Sequence, residues 1–343
     1  MKRALLACAL VVSGALAAAC GPDDSGSPTG TNGGGGTAGA GGDGAAGEGG
    51  SGGSGGAGGA GGEGGGAGGD CDTLSTAYCL KAQECTPFAI DLLYGSFDIC
   101  VARLSLSCEI EEVAPGSTYD AAKQKACTEA ATAASCDEFF ANEVVACHTP
   151  PGTLPKGAAC GSSKQCESRY CDLTNLDCGV CATPVPAGGS CADDNRSCEP
   201  GLSCTSGANK LCVARGKMGE NCDVETQPCT PNLGCNGATC AMGAQAGEPC
   251  GPTVECDAAN GIFCNMSTNL CQKVFVADVG EPCGVVMGKY TICNGASLCG
   301  PAKTCVARAG DGEPCDEAMG VSCFGPAFCF NGVCTLPDPA GCK

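Results

Sequence analysis

The chain has 343 residues, a net charge of −19 and 36 cysteines. So acidic a chain repels phosphate backbones, which excludes nucleic acid as a partner. With no Trp, 9 Phe and 5 Tyr it also lacks the large side chains of an ordinary core, so cross-links must supply what packing cannot.

Met1-Lys2-Arg3 is a basic start, and Ala4 to Ala19 is an apolar run too short to span a membrane. Residues 1–19 therefore predict a signal peptide. The stretch ends Leu16-Ala17-Ala18-Ala19-Cys20-Gly21, which resembles a bacterial lipobox with Ala17 in the place of the usual Leu. The resemblance implies lipidation of Cys20 and membrane attachment through that lipid; the other reading is ordinary cleavage with a free Cys20. Residues 21–70 are almost wholly Gly, Ala, Ser, Thr, Asp and Glu, a composition expected to form a disordered tether. A flexible coil of that length spans roughly 40 Å.

The next segment, 71–150, carries Cys71, Cys79, Cys85, Cys100, Cys108, Cys127, Cys136 and Cys147. Ser96 is placed to cap a helix whose Phe97, Cys100, Val101, Leu104 and Cys108 recur at helical spacing. Asp120 to Ala134 and Asp137 to Ala146 are two further helical runs, broken by Pro87, Pro115-Gly116 and Pro150-Pro151. Three to five short helices tied by four disulfides are expected, with connectivity left open.

From 157 to 334 a unit repeats six times, with Gly three positions before the first of four Cys. The glycines are Gly157, Gly188, Gly219, Gly247, Gly280 and Gly312. The cysteines are Cys160, Cys166, Cys171 and Cys178; Cys191, Cys198, Cys204 and Cys212; Cys222, Cys229, Cys235 and Cys240; Cys250, Cys256, Cys264 and Cys271; Cys283, Cys293, Cys299 and Cys305; and Cys315, Cys323, Cys329 and Cys334. Turn pairs such as Asn236-Gly237 and Asn331-Gly332 sit between the third and fourth Cys and predict small hairpins. The expected pairing is first to third and second to fourth, because crossed links tie the leading loop to both strands. Cys181 and Cys342 fall outside this count; a bond between them would close the array, and local rearrangement within the first unit is the alternative. Residues 335–343 form a C-terminal tail. The expected class is a small disulfide-rich fold, in which a short-helix block precedes tandem loop and hairpin repeats, each contacting mainly its neighbours.

This Gly-x-x-Cys unit resembles the N-terminal cysteine-rich repeat of the Dickkopf family, and its placement after a stalk is similar to that of the cysteine-rich lipoproteins of myxobacteria. The resemblance covers about 157–334. It implies an extracellular disulfide module; the receptor modulation of animal Dickkopf proteins is not carried over, because no receptor-contacting motif is visible.

Catalytic signals are sparse. His148 is the only His and reads as an exposed linker residue; no Gly-x-Ser-x-Gly accompanies it, and a multi-His zinc site is impossible by count. Cys178-Gly-Val-Cys181 lacks a thioredoxin-like context and reads as structural. Asp193-Asp194-Asn195 and Glu313 lack calcium-loop spacing, and the sequons at Asn195 and Asn265 read as chance. No metal or cofactor is expected. The reading is a non-enzymatic envelope lipoprotein for structure, adhesion or capture of a protein or glycan; the alternatives are an inhibitor or toxin-like binder, or a hydrolase hidden in 71–150. The leading loops vary most in length, reaching nine residues between Cys283 and Cys293. Val285, Val286, Met287, Lys289 and Tyr290 in that loop are the candidate contacts.

Overall fold

The computed structural model describes residues 69–173, 178–192, 197–205, 209–223, 225–251, 253–316 and 319–342. The signal segment, Cys20, the tether and Asp193-Asp194-Asn195 lie outside them. The described chain is cysteine-rich, with small helices, short antiparallel strand pairs and 34 cysteines joined in seventeen disulfides.

Five α-helices come first: α1 (Gly69–Cys85), α2 (Pro87–Leu93), α3 (Phe97–Glu112), α4 (Ala121–Ala133) and α5 (Cys136–Phe140). Pro87 separates the first two and opens α2, where its missing N–H costs nothing. Ser96 caps α3, its hydroxyl accepting from Ile99 N at 3.2 Å. Asp120 caps α4 through Lys123 N at 2.9 Å. Ser135 and Glu138 form a capping box on α5, and the Ser135 backbone N–H, then its hydroxyl, hold the Glu138 carboxyl below its ordinary range. The run expected to reach Ala146 stops at Phe140. Asn142 takes a positive φ of 56°, and only a 3-10 turn, Val145–Cys147, follows.

Disulfides dictate how these helices pack. Cys71–Cys108 and Cys79–Cys100 link α1 to α3. The two cysteines on each helix are eight residues apart, so the bonds lie on facing stripes of an antiparallel pair. Cys85–Cys136 pins the end of α1 to the start of α5, and Cys127–Cys147 ties α4 to the 3-10 turn. The core is correspondingly sulfur-rich: Cys71, Leu74, Cys108, Tyr119 and Cys127 form one buried cluster and Cys79, Ile90, Tyr94 and Cys100 another.

The strands follow: β1 (Ala159–Cys160), β2 (Cys171–Asp172) and β3 (Gly179–Cys181) in unit 1; β4 (Leu202–Cys204) and β5 (Cys212–Ala214) in unit 2; β6 (Gly234–Asn236) and β7 (Thr239–Ala241) in unit 3; β8 (Ile262–Asn265) and β9 (Leu270–Lys273) in unit 4; β10 (Phe275–Ala277), β11 (Gly284–Val286), β12 (Lys289–Cys293), β13 (Ser297–Cys299) and β14 (Cys305–Ala307) in unit 5; β15 (Phe328–Phe330) and β16 (Val333–Thr335) in unit 6. In units 2 to 6 the third and fourth Cys are cross-strand neighbours, as in Cys204↔Cys212 and Cys329↔Cys334. They do not bond each other. Each takes a partner from the leading loop, giving the expected first-to-third and second-to-fourth pairs.

Unit 1 corrects the sequence reading. Its fourth cysteine is Cys181, not Cys178: Cys171 lies opposite Cys181, and Cys166 bonds it. The surplus Cys178 bonds Cys342 instead. The backbone gives the same answer independently. The frame glycine donates to the fourth cysteine's carbonyl at 2.8 Å in all six units, from Gly157 N→Cys181 O to Gly312 N→Cys334 O.

The frame has two features beyond its cysteines. Three residues before each frame glycine, Leu154, Val185, Gly216, Ala244, Ala277 and Ala309 pair in parallel with the second Cys of the unit. Two residues before the glycine stands either Pro155 or Pro186, which lack an N–H, or Lys217, Gln245, Asp278 or Gly310, whose N–H bonds a carboxylate. The acceptors are Glu220, Glu248, Glu281 and Glu313, each directly after the glycine, at 2.6–3.0 Å. The glutamate is present only where a donor needs it.

The units also depart from a nearest-neighbour array, because all six touch the helical block. Unit 1 sets Lys164 on Glu111 at 2.6 Å and over the Tyr119 ring. In unit 2, Gly201 lies against Ala141. Unit 3 donates from Asn232 to Asp137 at 2.8 Å. Unit 4 packs Phe263 on Phe88, with ring centroids 5.6 Å apart. Unit 5 donates from Gly295 N to Asp91 O at 2.8 Å. Unit 6 receives Arg103, which forks onto Asp311 and donates to the carbonyls of Phe324 and Gly325. A 30-residue unit has little core of its own, so burying one face on the helices adds to what the cystines supply. The tail then returns to unit 1, where Gln165 Nε2 donates to Pro339 O at 3.3 Å beside Cys178–Cys342. The repeats thus form a belt around a helical hub.

Candidate functional site

Among the described residues, only the leading loop of unit 5 forms a hairpin of two full strands; those of units 3, 4 and 6 carry single antiparallel bridges. β11 and β12 pair antiparallel, with Val285 opposite Tyr290 and Val286 opposite Lys289. The two turn residues, Met287 and Gly288, take φ of 49° and 78°. Positive φ at both positions is the tight turn that matches strand twist, and Gly288 accommodates it freely. On the other side of β12 lies β10 in parallel register, Phe275 opposite Thr291 and Val276 opposite Ile292. The result is a three-stranded sheet whose inner end, at Ala277 and Cys293, is anchored in the unit's core with Cys283 and Cys305.

The structure thus brings all five candidate contacts onto one projecting element. Met287 at the tip is 98% exposed and Val285 75%. Alternation puts Val285, Tyr290, Ile292 and Val276 on one face and Val286, Lys289 and Phe275 on the other. Lys289 Nζ lies 4.7 Å from the centroid of the Phe275 ring, a cation–π contact. Phe275 and Val276 belong to the element but not to the sequence prediction. They precede the unit's frame glycine, outside the long loop, and their signal was the Phe-Val-Ala alternation before Asp278.

His148 is not an exposed linker residue. It is half-buried, its Nε2 2.7 Å from Asn142 O, and it lines a groove of about 320 Å³ with Glu143, Arg215 and Leu202. Glu143 is engaged by Lys217. The Arg215 guanidinium donates to Ser203 Oγ at 2.6 Å and Cys229 O at 3.0 Å, and burial pulls its pKa down; it bridges unit 2 to unit 3. A smaller cavity in the hub, about 20 Å³, is lined by Tyr78, Ile90, Tyr94 and Phe139 and has room for about one water. Burial pushes the Tyr78 phenol up to about 12, and the Tyr94 phenol is raised by the same cause. Sulfur atoms converge in units 1 to 5, as with Cys160, Cys166 and Cys181 within 4.8 Å, but each of these is half of a cystine. Cys178 and Cys181, the one Cys-x-x-Cys, belong to two different disulfides. Among the described residues, no helix is long and apolar enough to cross a membrane. No known protein family, curated protein or solved structure matches the chain.

Proposed function

We propose that this is a non-enzymatic surface lipoprotein, held in the envelope by a lipid on Cys20, whose unit 5 hairpin binds a protein or glycan partner. The dense cross-linking belongs to an extracellular or cell-surface protein. The observation that carries the binding role is the contrast among the units as described: six share one frame, and among the described residues only unit 5 extends it into two full strands, which present Met287 and Val285 to solvent. Exposed apolar side chains on a rigid frame are a recognition surface rather than a folding requirement. The resemblance of the units to Dickkopf-type repeats supports the same extracellular setting.

The test is binding of the purified protein to its own envelope preparation, with a V285S/M287S/Y290S variant beside it. These residues are exposed, so thermal unfolding should change little, within about 0.5 kcal/mol per site. Binding is expected to fall roughly tenfold or more, the scale of a contact hot spot; unchanged binding would refute the hairpin's role. Cys20→Ser should separately release the protein from the membrane fraction.

A further inference from the structure

We propose that Cys178–Cys342 is a thiol-exchange site, the one cross-link that an external protein dithiol opens while the remainder of the described bonds stay closed.

Access comes first. Neither Cys178 nor Cys342 is buried, whereas every other disulfide among the described residues has at least one buried cysteine. Exchange needs a thiolate to reach a sulfur in line with the bond, so this bond is open to attack from either end.

Retention comes second. Cys204 and Cys299 are exposed where Cys178 and Cys342 are half-buried, and a thiolate can attack them too. The sulfur displaced there belongs to Cys191 or Cys283, 4% and 2% exposed. Each lies in a loop of 13 or 16 residues beside the unit's companion cystine. Held there at high effective concentration, it attacks back and expels the reagent. Cys342 lies on a segment beyond β16. Its bond spans a sequence separation of 164, whereas no other bond in the units exceeds 16. Once cut, its two sulfurs are not held together by a short loop.

Redundancy comes third. Cys181 fills the fourth position of unit 1, so Cys178 is surplus to the frame. Opening Cys178–Cys342 leaves both frame bonds of every unit and all four bonds of the helical block intact. Unit 1 stays docked through Lys164 and Glu111, and unit 6 through Arg103 and Asp311.

The reaction balances as a two-electron exchange. A thiolate of the partner dithiol attacks Sγ of one cysteine; the S–S bond breaks, a mixed disulfide forms, and the other cysteine leaves as thiolate and takes up a proton. The partner's second thiol then attacks the mixed disulfide. The partner departs as its own disulfide, and Cys178 and Cys342 are both left as thiols. The covalent tie between the tail and unit 1 is thereby opened, leaving noncovalent contacts such as Gln165 Nε2 to Pro339 O.

Limiting dithiothreitol applied to the folded full chain, quenched with iodoacetamide and mapped by mass spectrometry, tests this. Cys178 and Cys342 are expected to be alkylated roughly tenfold faster than any other cysteine, as accessible bonds react ahead of buried ones. Equal or earlier labelling of Cys204, Cys299 or any hub cysteine would overturn the proposal, as would labelling that appears only with global unfolding. The C178S/C342S variant should fold with its other bonds formed and lose the fast phase; persistence of that phase would also overturn it.

Discussion

At the scale of single residues, glycine does two different things here. At the six frame positions it is conformation that requires glycine: Gly280 has φ of 86°, and a Cβ there would meet nothing within 4 Å. Gly295 is the opposite case. Its φ is ordinary, but a Cβ would lie 2.1 Å from the backbone of Leu93 and Tyr94, because unit 5 sits directly on the end of α2. Gly280→Ala is therefore expected to cost about 1–2 kcal/mol, the penalty for a left-handed residue with a side chain, and to leave the unit in place. Gly295→Ala must push unit 5 away from the hub. Denaturant unfolding of the disulfide-intact protein measures the first; hydrogen exchange at Gly295 N, which donates to Asp91 O, measures the second and should rise only in that variant. The frame glycines were visible in the sequence as a fixed offset from cysteine. Gly295 was not, since its neighbour lies some two hundred residues earlier.

At the scale of elements, the hairpins and the crossed pairing were legible because turn residues and cysteine spacing are local. The helices of the first block were legible where a cap marked them, as at Ser96 and Asp120. α1 was missed: its buried face is made largely of cysteine and small residues, Cys71, Leu74, Ala77 and Cys79, a pattern that reads as cysteine spacing rather than helical period. Contacts between hub and belt were illegible for a further reason. Several rest on single polar groups such as Arg103, whose guanidinium pairs with Asp311 at 2.7 Å, donates to two carbonyls and stacks on Phe324. Arg103→Ala should destabilise the docking of unit 6 by about 2 kcal/mol, the range for hydrogen bonds to a charged group. Arg103→Lys should recover only part, because an ammonium cannot make the planar fork. Equal stability of the parent and both variants in urea unfolding would show that unit 6 does not depend on this contact.

At the scale of the whole molecule, the belt replaces the open array that repetition alone suggests. In a solenoid, removing one repeat shortens the stack and stability falls by one increment. Here unit 6 must reach back to unit 1 around the hub. Deleting unit 4, residues 244–274, should leave Cys178 and Cys342 unable to meet. Thiol titration of the unfolded, unreduced variant should then find at least the two cysteines of that bond free, whereas the parent ectodomain should show none. A deletion variant with every thiol still paired would mean that the belt closes at any length.

The layout of the cross-links also settles how the molecule responds to being pulled. From Cys71 to Cys147 the four hub disulfides close overlapping loops, and from Cys160 to Cys342 the belt disulfides do the same through Cys166–Cys181 and Cys178–Cys342. Between these covalently locked bodies, residues 148–159 are the only stretch that no disulfide loop encloses. Under tension between the start of α1 and the belt, that segment is the main extensible link, and fully drawn out it lengthens to about 40 Å. Pulled between the start of α1 and unit 5, the described chain would thus give first along this one segment, the rest lying within loops that sulfur–sulfur bonds close.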